Sequence, residues 1–510
     1  MEEQNIIVNN LKCATLEGTD AMVVDAEGSL TKGLPSFNIV GLASSDIQEA
    51  KERAKNALQA QNFPLPPLRI TINLSPSDIK KSGTHFDLAI ALLVALGDIE
   101  IIHKDIFIFG ELGLNGKVKG SSLIFPLILS LKEQSLIQNA IVPKDTIESL
   151  KYIDGVNFYP VDTLKEAADI LKEQELPQAL NLREKYNSKS IKIDNKSYYY
   201  STNYIEDFNS VFGQELAIRA ALISAAGMHN LLLSGNPGSG KSMIAKRLRY
   251  ILPPLSKEDI LTIARHQFLG DNKPDFSPIR PFRSPHHTAT SAAIFGGGSY
   301  RAKIGEVALA NRGVLFFDEL PHFESKVLEA LREPLQDRVV NIARVNSKIS
   351  YSANFLFIGA MNPCPCGNLL SKTKECRCTQ SEIQRYKNRL SDPFLDRIDI
   401  FVTMQEVDFN KSATTSSKEL HQKVIKSFIA QKKRGQKSFN GELSEIDIEK
   451  YCILTQEAKD ILQKAITQFG LSYRSIANIK KVARTIADLN ESEYIDKKEL
   501  LEALSYRKRD

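Results

Sequence analysis

The segment LLLSGNPGSGKSMIAKRL, residues 231–248, decides the fold of this 510-residue chain. Its apolar opening, Leu231–Leu233, predicts a buried strand, and Met243–Tyr250 predicts a helix. The loop between them matches the pattern GxxxxGK[ST] at every fixed position, through Gly235, Asn236, Pro237, Gly238, Ser239, Gly240, Lys241 and Ser242. A strand, this loop and a helix in that order predict a phosphate-binding loop in an α/β domain.

The residue types of this loop suit a nucleoside triphosphate. Glycine has no Cβ, so backbone N–H groups can close around phosphate oxygens, and the N-terminus of the following helix attracts the same anion. Lys241 is predicted to reach the β- and γ-phosphates, and Ser242 to bind Mg²⁺. ATP and Mg²⁺ are therefore the expected cofactors. The alternative, a glycine-rich turn that arises by chance, is disfavoured by the flanking strand and helix.

A second apolar run, GVLFFDE at residues 313–319, predicts a strand that ends in two carboxylates. Asp318 matches the Mg²⁺ ligand of P-loop enzymes, and Glu319 matches the group that polarises the attacking water. The alternative is an acidic helix N-terminus, because Asp and Glu favour the first turn of a helix. The position after a phosphate-binding loop favours the catalytic interpretation.

A third apolar run, FLFIGAMNPC at residues 355–364, predicts a buried strand that ends in Asn362. A polar side chain at this point could lie beside the γ-phosphate and the attacking water. The alternative is an asparagine that turns the chain before Pro363. Taken alone, the residue favours the second interpretation.

Four of the six cysteines fall within residues 364–378. Their spacing, C-x-C-x9-C-x-C, suits a tetrahedral Zn²⁺ site that closes the loop between the two pairs. Clustered cysteines in a cytosolic chain indicate metal or redox chemistry rather than structural disulfides. Structural zinc is the favoured interpretation, and reduced thiols or a redox pair are the alternatives. The predicted ligands are Cys364, Cys366, Cys376 and Cys378.

Composition limits the class of protein without naming a partner. Hydrophobic residues make up 42% of the chain, charged residues 25%, and the net charge is +5. This charge is too small to indicate nucleic-acid binding by itself. The sequence shows no membrane-length apolar run and no basic-then-apolar leader at its N-terminus, so we expect a cytoplasmic protein without a membrane partner.

Changes in periodicity divide the chain into four predicted segments. Residues 1–172 form one α/β domain, in which residues 46–61 have the spacing of an amphipathic helix. Residues 173–204 are polar and without period, and are predicted to be a linker. Residues 205–404 form the α/β core that carries the phosphate-binding loop, and residues 405–510 are helical.

Six runs of residues resemble the ComM/YifB family of magnesium-chelatase-like AAA+ ATPases, and the resemblance covers nearly the whole chain. It implies a Lon-protease-like N-terminal domain, an AAA+ core with a parallel sheet and a C-terminal helical lid. It also implies a hexameric ring that moves DNA, as a helicase that drives branch migration during natural transformation. The runs are SVFGQELAIRAALISAAGMHNLLLSGNPGSGKS (210–242), RPFRSPHHTATSAAIFGGG (280–298), GEVALANRGVLFFDELPHF (305–323), GAMNPCPCG (359–367), CRCT (376–379) and LSDPFLDRIDIFV (390–402).

The resemblance also assigns roles to arginines. Arg397 is similar to an arginine finger, which stabilises transition-state charge at the neighbouring subunit's γ-phosphate. A local ion pair with Asp396 or Asp399 is the alternative, and Arg389 is a competing finger. Arg474 resembles the second sensor, which reports the γ-phosphate to the lid.

Two inserted segments are implied to face the pore. Residues 339–350 resemble a pore hairpin, in which Arg344 and Lys348 would contact DNA phosphates without reading sequence. A solvated hairpin is the alternative. Residues 283–287 and 296–298 resemble a second inserted loop that faces the pore or the neighbouring subunit. Its paired histidines, His286 and His287, lack further ligands nearby, so a structural or interface role is expected rather than a metal site.

Three functions remain in competition. A DNA translocase or branch-migration helicase is favoured by the charges of the pore hairpin, and an ATPase that remodels a protein partner is the second possibility. The third, an ATP-dependent protease, is disfavoured because His85 and Phe125 occupy the expected positions of the Ser–Lys dyad. Ser82 beside Lys80 or Lys81 lacks an orienting third group. We therefore interpret the N-terminal domain as a pseudo-protease used for assembly or DNA contact.

Overall fold

The computed structural model describes residues 8–97, 99, 101–180, 186, 188–270, 273–297, 303–343, 348–371, 373–406 and 415–507. Contacts divide the chain into two compact units. The first comprises Met1–Lys185 with Gln267–Pro274, and the second comprises Tyr186–His266 with Asp275–Asp510. Among the described residues, no helix is long and apolar enough to cross a membrane.

The first unit is built on a mixed seven-stranded sheet with the order β3-β4-β2-β1-β5-β8-β9, and β6 and β7 form a separate hairpin. Its strands are β1 (Val8–Glu17), β2 (Asp20–Thr31), β3 (Ser36–Val40), β4 (Arg69–Ser75), β5 (Ile106–Ile108), β6 (Glu111–Leu112), β7 (Val118–Lys119), β8 (Asn139–Pro143) and β9 (Asn157–Val161). Its helices are α1 (Ser45–Ala60), α2 (Asp87–Ala95), α3 (Ile124–Glu133), α4 (Ile147–Leu150) and α5 (Leu164–Lys172).

Helix α1 confirms the amphipathic spacing predicted for residues 46–61. Ile47, Ala50, Ala54 and Leu58 are all buried, because they recur on one face of the helix. Helix α2 lies in the same core and is buried on every side over Asp87–Val94. Its near-continuous apolar sequence is what such a position requires.

The second unit contains twelve short strands among its described residues. They are β10 (Lys189–Ile193), β11 (Lys196–Tyr200), β12 (Leu231–Gly235), β13 (Leu255–Ser256), β14 (Phe282–Arg283), β15 (Gly296–Gly297), β16 (Lys303–Ile304), β17 (Val314–Phe317), β18 (Val339–Ala343), β19 (Lys348–Ser352), β20 (Leu356–Met361) and β21 (Ile400–Met404). Five of them form a parallel sheet with the order β14-β17-β20-β12-β21. Two antiparallel hairpins, β15–β16 and β18–β19, lie outside this sheet.

The described part of the second unit has fourteen α-helices, and those from residue 417 onwards form the C-terminal helical region. They are α6 (Glu215–Gly227), α7 (Lys241–Leu248), α8 (Lys257–Leu269), α9 (Ser291–Phe295), α10 (Glu306–Leu309), α11 (Ser325–Ala330), α12 (Arg332–Asp337), α13 (Gln380–Lys387), α14 (Asp392–Leu395), α15 (Ser417–Lys433), α16 (Glu445–Tyr451), α17 (Gln456–Phe469), α18 (Tyr473–Leu489) and α19 (Lys497–Ser505). One hydrophobic core joins this region to the parallel sheet. The predicted fold class is confirmed.

The expected linker, residues 173–204, contains a β-hairpin that the sequence prediction missed. Strands β10 and β11 pair antiparallel, and β11 also pairs with β13. Asp194 and Asn195 form the turn with φ of 45° and 64°. Asp and Asn accept this left-handed conformation more readily than other residues with a side chain, and a turn with both φ values positive favours a hairpin. Exposed polar residues in both strands hide the period of 2 in the sequence.

The parallel sheet is what positions the candidate site. Every residue of β17 and β20 is buried, which explains why these strands are continuous apolar runs rather than alternating ones. Strand β20 lies between β12 and β17. The residues that follow these three parallel strands therefore meet at one edge of the sheet, where α/β proteins bind ligands.

Candidate nucleotide-binding site

The phosphate-binding loop joins β12 to α7, which begins at Lys241, two residues before the predicted start. Gly240 precedes the helix with φ 93°, a conformation that L side chains rarely adopt. A Cβ at Gly235 would lie 2.8 Å from Ser239 Oγ and 3.0 Å from Met404 Cβ. The loop therefore requires glycine at both positions.

Lys241 lies inside this loop rather than on its surface. Its Nζ donates hydrogen bonds to Gly235 O (2.7 Å), Asn236 O (2.9 Å) and Asn362 Oδ1 (3.2 Å). Burial lowers the pKa of Lys241, and attraction to Asp318 partly opposes that shift. The ammonium group thus lies near the Asn362 amide that follows β20 and the Asp318 carboxylate that follows β17, where a γ-phosphate would bind.

Ser242 and Asp318 face each other at the predicted magnesium position. Ser242 Oγ donates to Asp318 Oδ2 at 2.7 Å, and hydroxyl and carboxylate oxygens are the ligand types found around Mg²⁺ in P-loop enzymes. Glu319 donates its backbone N–H to Asp318 Oδ1 at 2.9 Å and adopts a left-handed φ of 51°. Such strained residues cluster at functional sites. These residues fit a bound Mg-nucleotide.

Asn362 follows β20 and reaches the same edge of the sheet. Its side-chain oxygen accepts from Lys241, and its backbone N–H donates to the Tyr386 hydroxyl. Burial raises the pKa of Tyr386 to about 12. The side chain of Asn362 is therefore directed at Lys241. This contact supports a position beside the γ-phosphate over the alternative in which Asn362 only turns the chain before Pro363.

The four clustered cysteines converge as a metal site would require. The Sγ atom of Cys364 lies 3.5 Å from that of Cys366 and 3.7 Å from that of Cys376, and all four sulfurs lie within 4.8 Å of one another. A Zn–S distance of about 2.3 Å in a tetrahedron places sulfurs roughly 3.8 Å apart. Backbone N–H groups of Asn368 and Arg377 lower the pKa of Cys366 to about 6, whereas burial and hydrogen bonds to Cys366 and Cys364 raise the pKa of Cys376 and Cys378, so Cys366 is the first of these three thiols to ionise. The cluster fits Zn²⁺.

The cysteine loop rests directly on the phosphate-binding loop, a contact that sequence analysis did not predict. Gly367 has φ 81°, and a Cβ there would lie 2.7 Å from the ring of Pro237. In the orientation that satisfies both ends of its amide, Asn236 donates to Gly367 O and accepts from Ser371 N, each at 2.9 Å. Asn236 and Pro237 occupy positions at which the motif accepts any residue, so the motif did not predict this contact.

Gln214 is a second support that the motif did not reveal. It is buried, and its Nε2 donates to Ser239 O at 3.2 Å and to Gln405 O at 2.7 Å. It thereby ties the phosphate-binding loop to the chain that follows β21. In the sequence, the one indication of a role for Gln214 is that it belongs to the run SVFGQ, residues 210–214, which shares in the family resemblance.

Arg397 and Arg474 meet on one glutamine. Arg397 Nη2 donates to Gln336 Oε1 at 2.7 Å, and Arg474 Nη2 reaches the same oxygen at 3.4 Å. Arg397 also donates to Arg332 O, so its hydrogen bonds go to these groups rather than to Asp396. Burial lowers the pKa of Arg397, and the charges of Arg474 and Arg332 lower it further. The two cations are held together against their mutual repulsion.

The other predicted partner of Arg397 is engaged elsewhere. Asp399 Oδ2 accepts from the backbone N–H of Asn230 at 3.0 Å. Arg389, the competing finger, is exposed and lies just beyond the C-terminal end of α13. Among the described residues, Arg397 and Arg474 donate to α12 and to Pro393 O, and not to the phosphate-binding loop of their own chain.

Arg344 and Lys348, the two residues predicted to contact DNA, belong to the region of the β18–β19 hairpin, residues 339–350. The β18–β19 hairpin itself is present, with Val339 opposite Ser352 and Ala343 opposite Lys348. Arg344 lies outside the described residues, and only the backbone of Lys348 is described. Their contact with DNA remains a prediction.

The positions expected to hold a protease dyad lie in the core of the first unit. His85 is fully buried and its Nε2 lies 2.8 Å from Ala14 O. Burial lowers the pKa of His85 to about 4. Phe125 and Lys81 are buried as well, and Lys81 donates to Pro76 O. These buried side chains belong to the core of the first unit and do not form a Ser–Lys dyad.

Comparison with known proteins adds three family matches that together cover most of the chain. The models described as magnesium chelatase subunit ChlI, subunit ChlI of Mg-chelatase and the ChlI C-terminal region match residues 207–412, 26–146 and 414–507. The chain is 37% identical over 501 residues to the competence protein ComM of Haemophilus influenzae, which covers 96% of this chain and 95% of the relative. It is 36% identical to YifB of Salmonella typhimurium, with the same coverage of both chains. It is 26% identical over 185 residues to the magnesium-chelatase 67 kDa subunit of Heliobacterium mobile, and this match covers 30% of this chain and 28% of that subunit.

We predict that Lys241→Ala and Glu319→Gln separate nucleotide binding from turnover. Loss of the buried ammonium group should abolish ATP binding, whereas Glu319→Gln should retain binding and lower kcat roughly 100-fold or more, because a general base is lost. Fluorescent-nucleotide titration and phosphate release measure the two effects. Glu324→Gln, an exposed carboxylate nearby, is the matched control. Hydrolysis at the wild-type rate by Glu319→Gln would remove that residue from the catalytic role.

We predict about one Zn²⁺ per chain, because the four sulfurs match one tetrahedral site. Cys366→Ser with Cys378→Ser should lose the metal and lower ATP turnover more than the melting temperature, since the cysteine loop supports Asn236 and Pro237. Elemental analysis, phosphate release and thermal melting measure these effects, and Cys452→Ala is the control outside the cluster. Finding no metal in protein purified under reducing conditions would leave only free thiols.

Proposed function

Because the chain belongs to the ComM/YifB family of magnesium-chelatase-like AAA+ proteins, we propose that it is a cytoplasmic ATP-driven motor that acts on DNA as a ring of six subunits. The observation that carries the ATPase part is the convergence of Lys241, Ser242, Asp318 and Asn362 at one edge of the parallel sheet. Glu319 stands beside this group as the proposed base. Its half-exposed carboxylate can reach a water that attacks the γ-phosphate.

The arginine pair supports a ring in which neighbouring subunits share each nucleotide site. Arg397 and Arg474 are held on Gln336 and not on their own phosphate-binding loop. A cation placed away from its own site can serve a neighbour's γ-phosphate, as arginine fingers supplied in trans do. Each ATP would then lie between the loop of one subunit and the arginines of the next.

The short helix α12 links those arginines to the pore hairpin. Its first residue, Arg332, accepts a hydrogen bond from Arg397, and its residue Gln336 accepts from both arginines. Strand β18 begins at Val339, directly after this helix, and Ala353 N donates to Arg338 O at 2.8 Å where the hairpin returns. A change in γ-phosphate contacts at Arg397 would therefore act on the base of the hairpin proposed to hold DNA.

A DNA substrate accounts for more of these features than the alternatives. The H. influenzae relative is named for competence, and the family resemblance implies branch migration of incoming DNA during transformation or recombination. The match to magnesium chelatase subunits supports one competitor, an ATPase that remodels a protein partner. ATPase rates with and without single-stranded, duplex and forked DNA decide between them. No stimulation by any DNA at any salt concentration would favour the protein remodeller.

We predict that Arg397 acts in trans. Rings mixed from Arg397→Ala and Glu319→Gln subunits should recover ATPase activity, because some interfaces then combine an intact loop with an intact finger. Phosphate release after mixing, under conditions in which subunits exchange, measures the recovery. Arg389→Ala in place of Arg397→Ala tests the competing finger. A mixture as inactive as both parents would contradict the shared site.

We predict that Arg344→Ala with Lys348→Ala weakens DNA binding equally across sequences, because phosphate contacts do not read bases. The slope of log affinity against log salt should fall by roughly two for each subunit that engages DNA through both side chains. Fluorescence anisotropy across salt concentrations measures this change, and basal ATPase should survive.

A matched control removes the same charge from another exposed hairpin. Lys189→Ala with Lys196→Ala changes two lysines on β10 and β11, and both are exposed. This control should bind DNA as the wild type does. Equal losses in the two double variants would mean that the effect is general charge and not the pore hairpin.

A further inference from the structure

Asn230 directly precedes β12, at the end of the strand that points away from the phosphate-binding loop. Strand β12 is parallel to β21, with Leu231 opposite Ile400. Residues 397–400, which begin with the proposed arginine finger, therefore meet the chain at Asn230. A strand rises about 3.3 Å per residue, so the five residues of β12 span roughly 16 Å between this point and the phosphate-binding loop. Arg397 thus stands at the opposite end of the strands from the loop of its own chain.

Both the main chain and the side chain of Asn230 bind this segment. Its carbonyl accepts from the backbone N–H groups of Asp399 at 3.1 Å and Ile400 at 3.0 Å, and its own N–H donates to Asp399 Oδ2 at 3.0 Å. Its side-chain Nδ2 donates to Arg397 O at 2.9 Å. Four hydrogen bonds therefore join Asn230 to residues 397–400.

The amide group of Asn230 is used at both ends, which fixes its orientation. While Nδ2 donates to Arg397 O, Oδ1 accepts from the backbone N–H of Phe357 at 3.0 Å. Phe357 is a buried residue of β20, the strand that lies between β12 and β17. An amide supplies one acceptor and one donor group side by side, as this position requires. The sheet thus holds the amide, and the amide holds the peptide group of Arg397.

The side chain of Arg397 extends from this anchored backbone to α12. Its Nε donates to Arg332 O at 3.3 Å, and its Nη2 donates to Gln336 Oε1 at 2.7 Å. The guanidinium group is therefore held at one end by α12 and at the other by its own main chain. Because a displaced main chain carries the guanidinium with it, the contact between Asn230 and Arg397 O bears on where the charge lies.

The preceding residue, His229, makes a matching contact with the helix that carries Arg474. His229 is fully buried, and its Nε2 lies 2.7 Å from Thr485 Oγ1 on α18. A Cβ at Gly227 would lie 2.3 Å from that Nε2 and 2.4 Å from the Thr485 hydroxyl, so the chain packs tightly here. The segments that carry the two arginines are therefore anchored to adjacent residues of the core.

We propose that Asn230 is a positioning residue that fixes the peptide group of Arg397 and so holds its guanidinium in place for the neighbouring subunit's γ-phosphate. Groups that touch the reacting atoms depend on hydrogen bonds of this kind behind them, since a misplacement of about 1 Å can cost roughly 100-fold in rate. The inference rests on the proposed shared site and adds the residue that sets the position of its finger.

The test uses Asn230→Asp in the full-length protein. Aspartate keeps an oxygen that accepts from Phe357 N–H and removes the donor to Arg397 O, so ATP binding should be unchanged while kcat falls roughly 10- to 100-fold. Asn230→Ala should lower kcat in the same way without adding a charge. Nucleotide titration, phosphate release and thermal melting measure these effects. Asn203→Asp is the matched control, since Asn203 is exposed and donates its backbone N–H to Ser201 Oγ.

Mixed rings distinguish a displaced finger from a general defect. Asn230→Asp subunits should recover phosphate release with Glu319→Gln subunits, which keep an intact finger, and not with Arg397→Ala subunits, which lack one. Recovery with Arg397→Ala subunits would overturn the positioning role, as would a wild-type kcat for Asn230→Asp alone. Failure of both Asn230 variants to fold would assign the residue to stability and overturn the role as well.

The pair Arg397→Ala and Glu319→Gln, mixed in parallel, tests the shared site itself. Recovery in that pair, without recovery of Asn230→Asp by Glu319→Gln, would overturn the role of Asn230 and leave the shared site intact. No recovery in that pair would remove the shared site and this inference together.

Discussion

The hydrogen-bonded register of three parallel strands is the constraint on which the nucleotide site depends. Strand β20 pairs with β12 on one side and β17 on the other, with Met361 opposite Ser234 and Gly359 opposite Phe317. Because β17 and β20 are buried on both faces, a shift of one residue would exchange side chains of different size between two close-packed faces and is strongly disfavoured. The polar residues that follow these strands therefore lie together at one edge of the sheet.

Support for the phosphate-binding loop comes from distant parts of the chain. Gly367 of the cysteine loop packs on Pro237, and Gln214 ties Ser239 to the chain after β21. Each contact uses backbone groups or a residue without a side chain, so it restrains the loop closely. A metal at the cysteines and a nucleotide at the loop would stabilise adjoining surfaces, which gives the cysteine cluster a physical connection to ATP turnover.

Two sets of side-chain contacts connect the nucleotide site to segments outside the parallel sheet. The arginines on Gln336 lie beside the start of the β18–β19 hairpin, and His287 contacts Glu319 in the loop that leads to α9 and the β15–β16 hairpin. Both hairpins are thus preceded in the chain by segments that contact residues of the proposed nucleotide site. A ligand that moves either segment could change the positions of charges at the γ-phosphate without entering the nucleotide site.

The sequence by itself determined the fold class, the phosphate-binding loop and the four cysteines, because these depend on local patterns: apolar runs, fixed glycines and short spacing. It also placed Asp318 and Asn362 at strand ends, but left the role of Asn362 open. Only the tertiary structure brought Asn362 to Lys241, placed His287 on Glu319 and joined two arginines through Gln336. Such contacts join residues far apart in the chain, so their geometry follows from strand order and packing rather than from any local pattern.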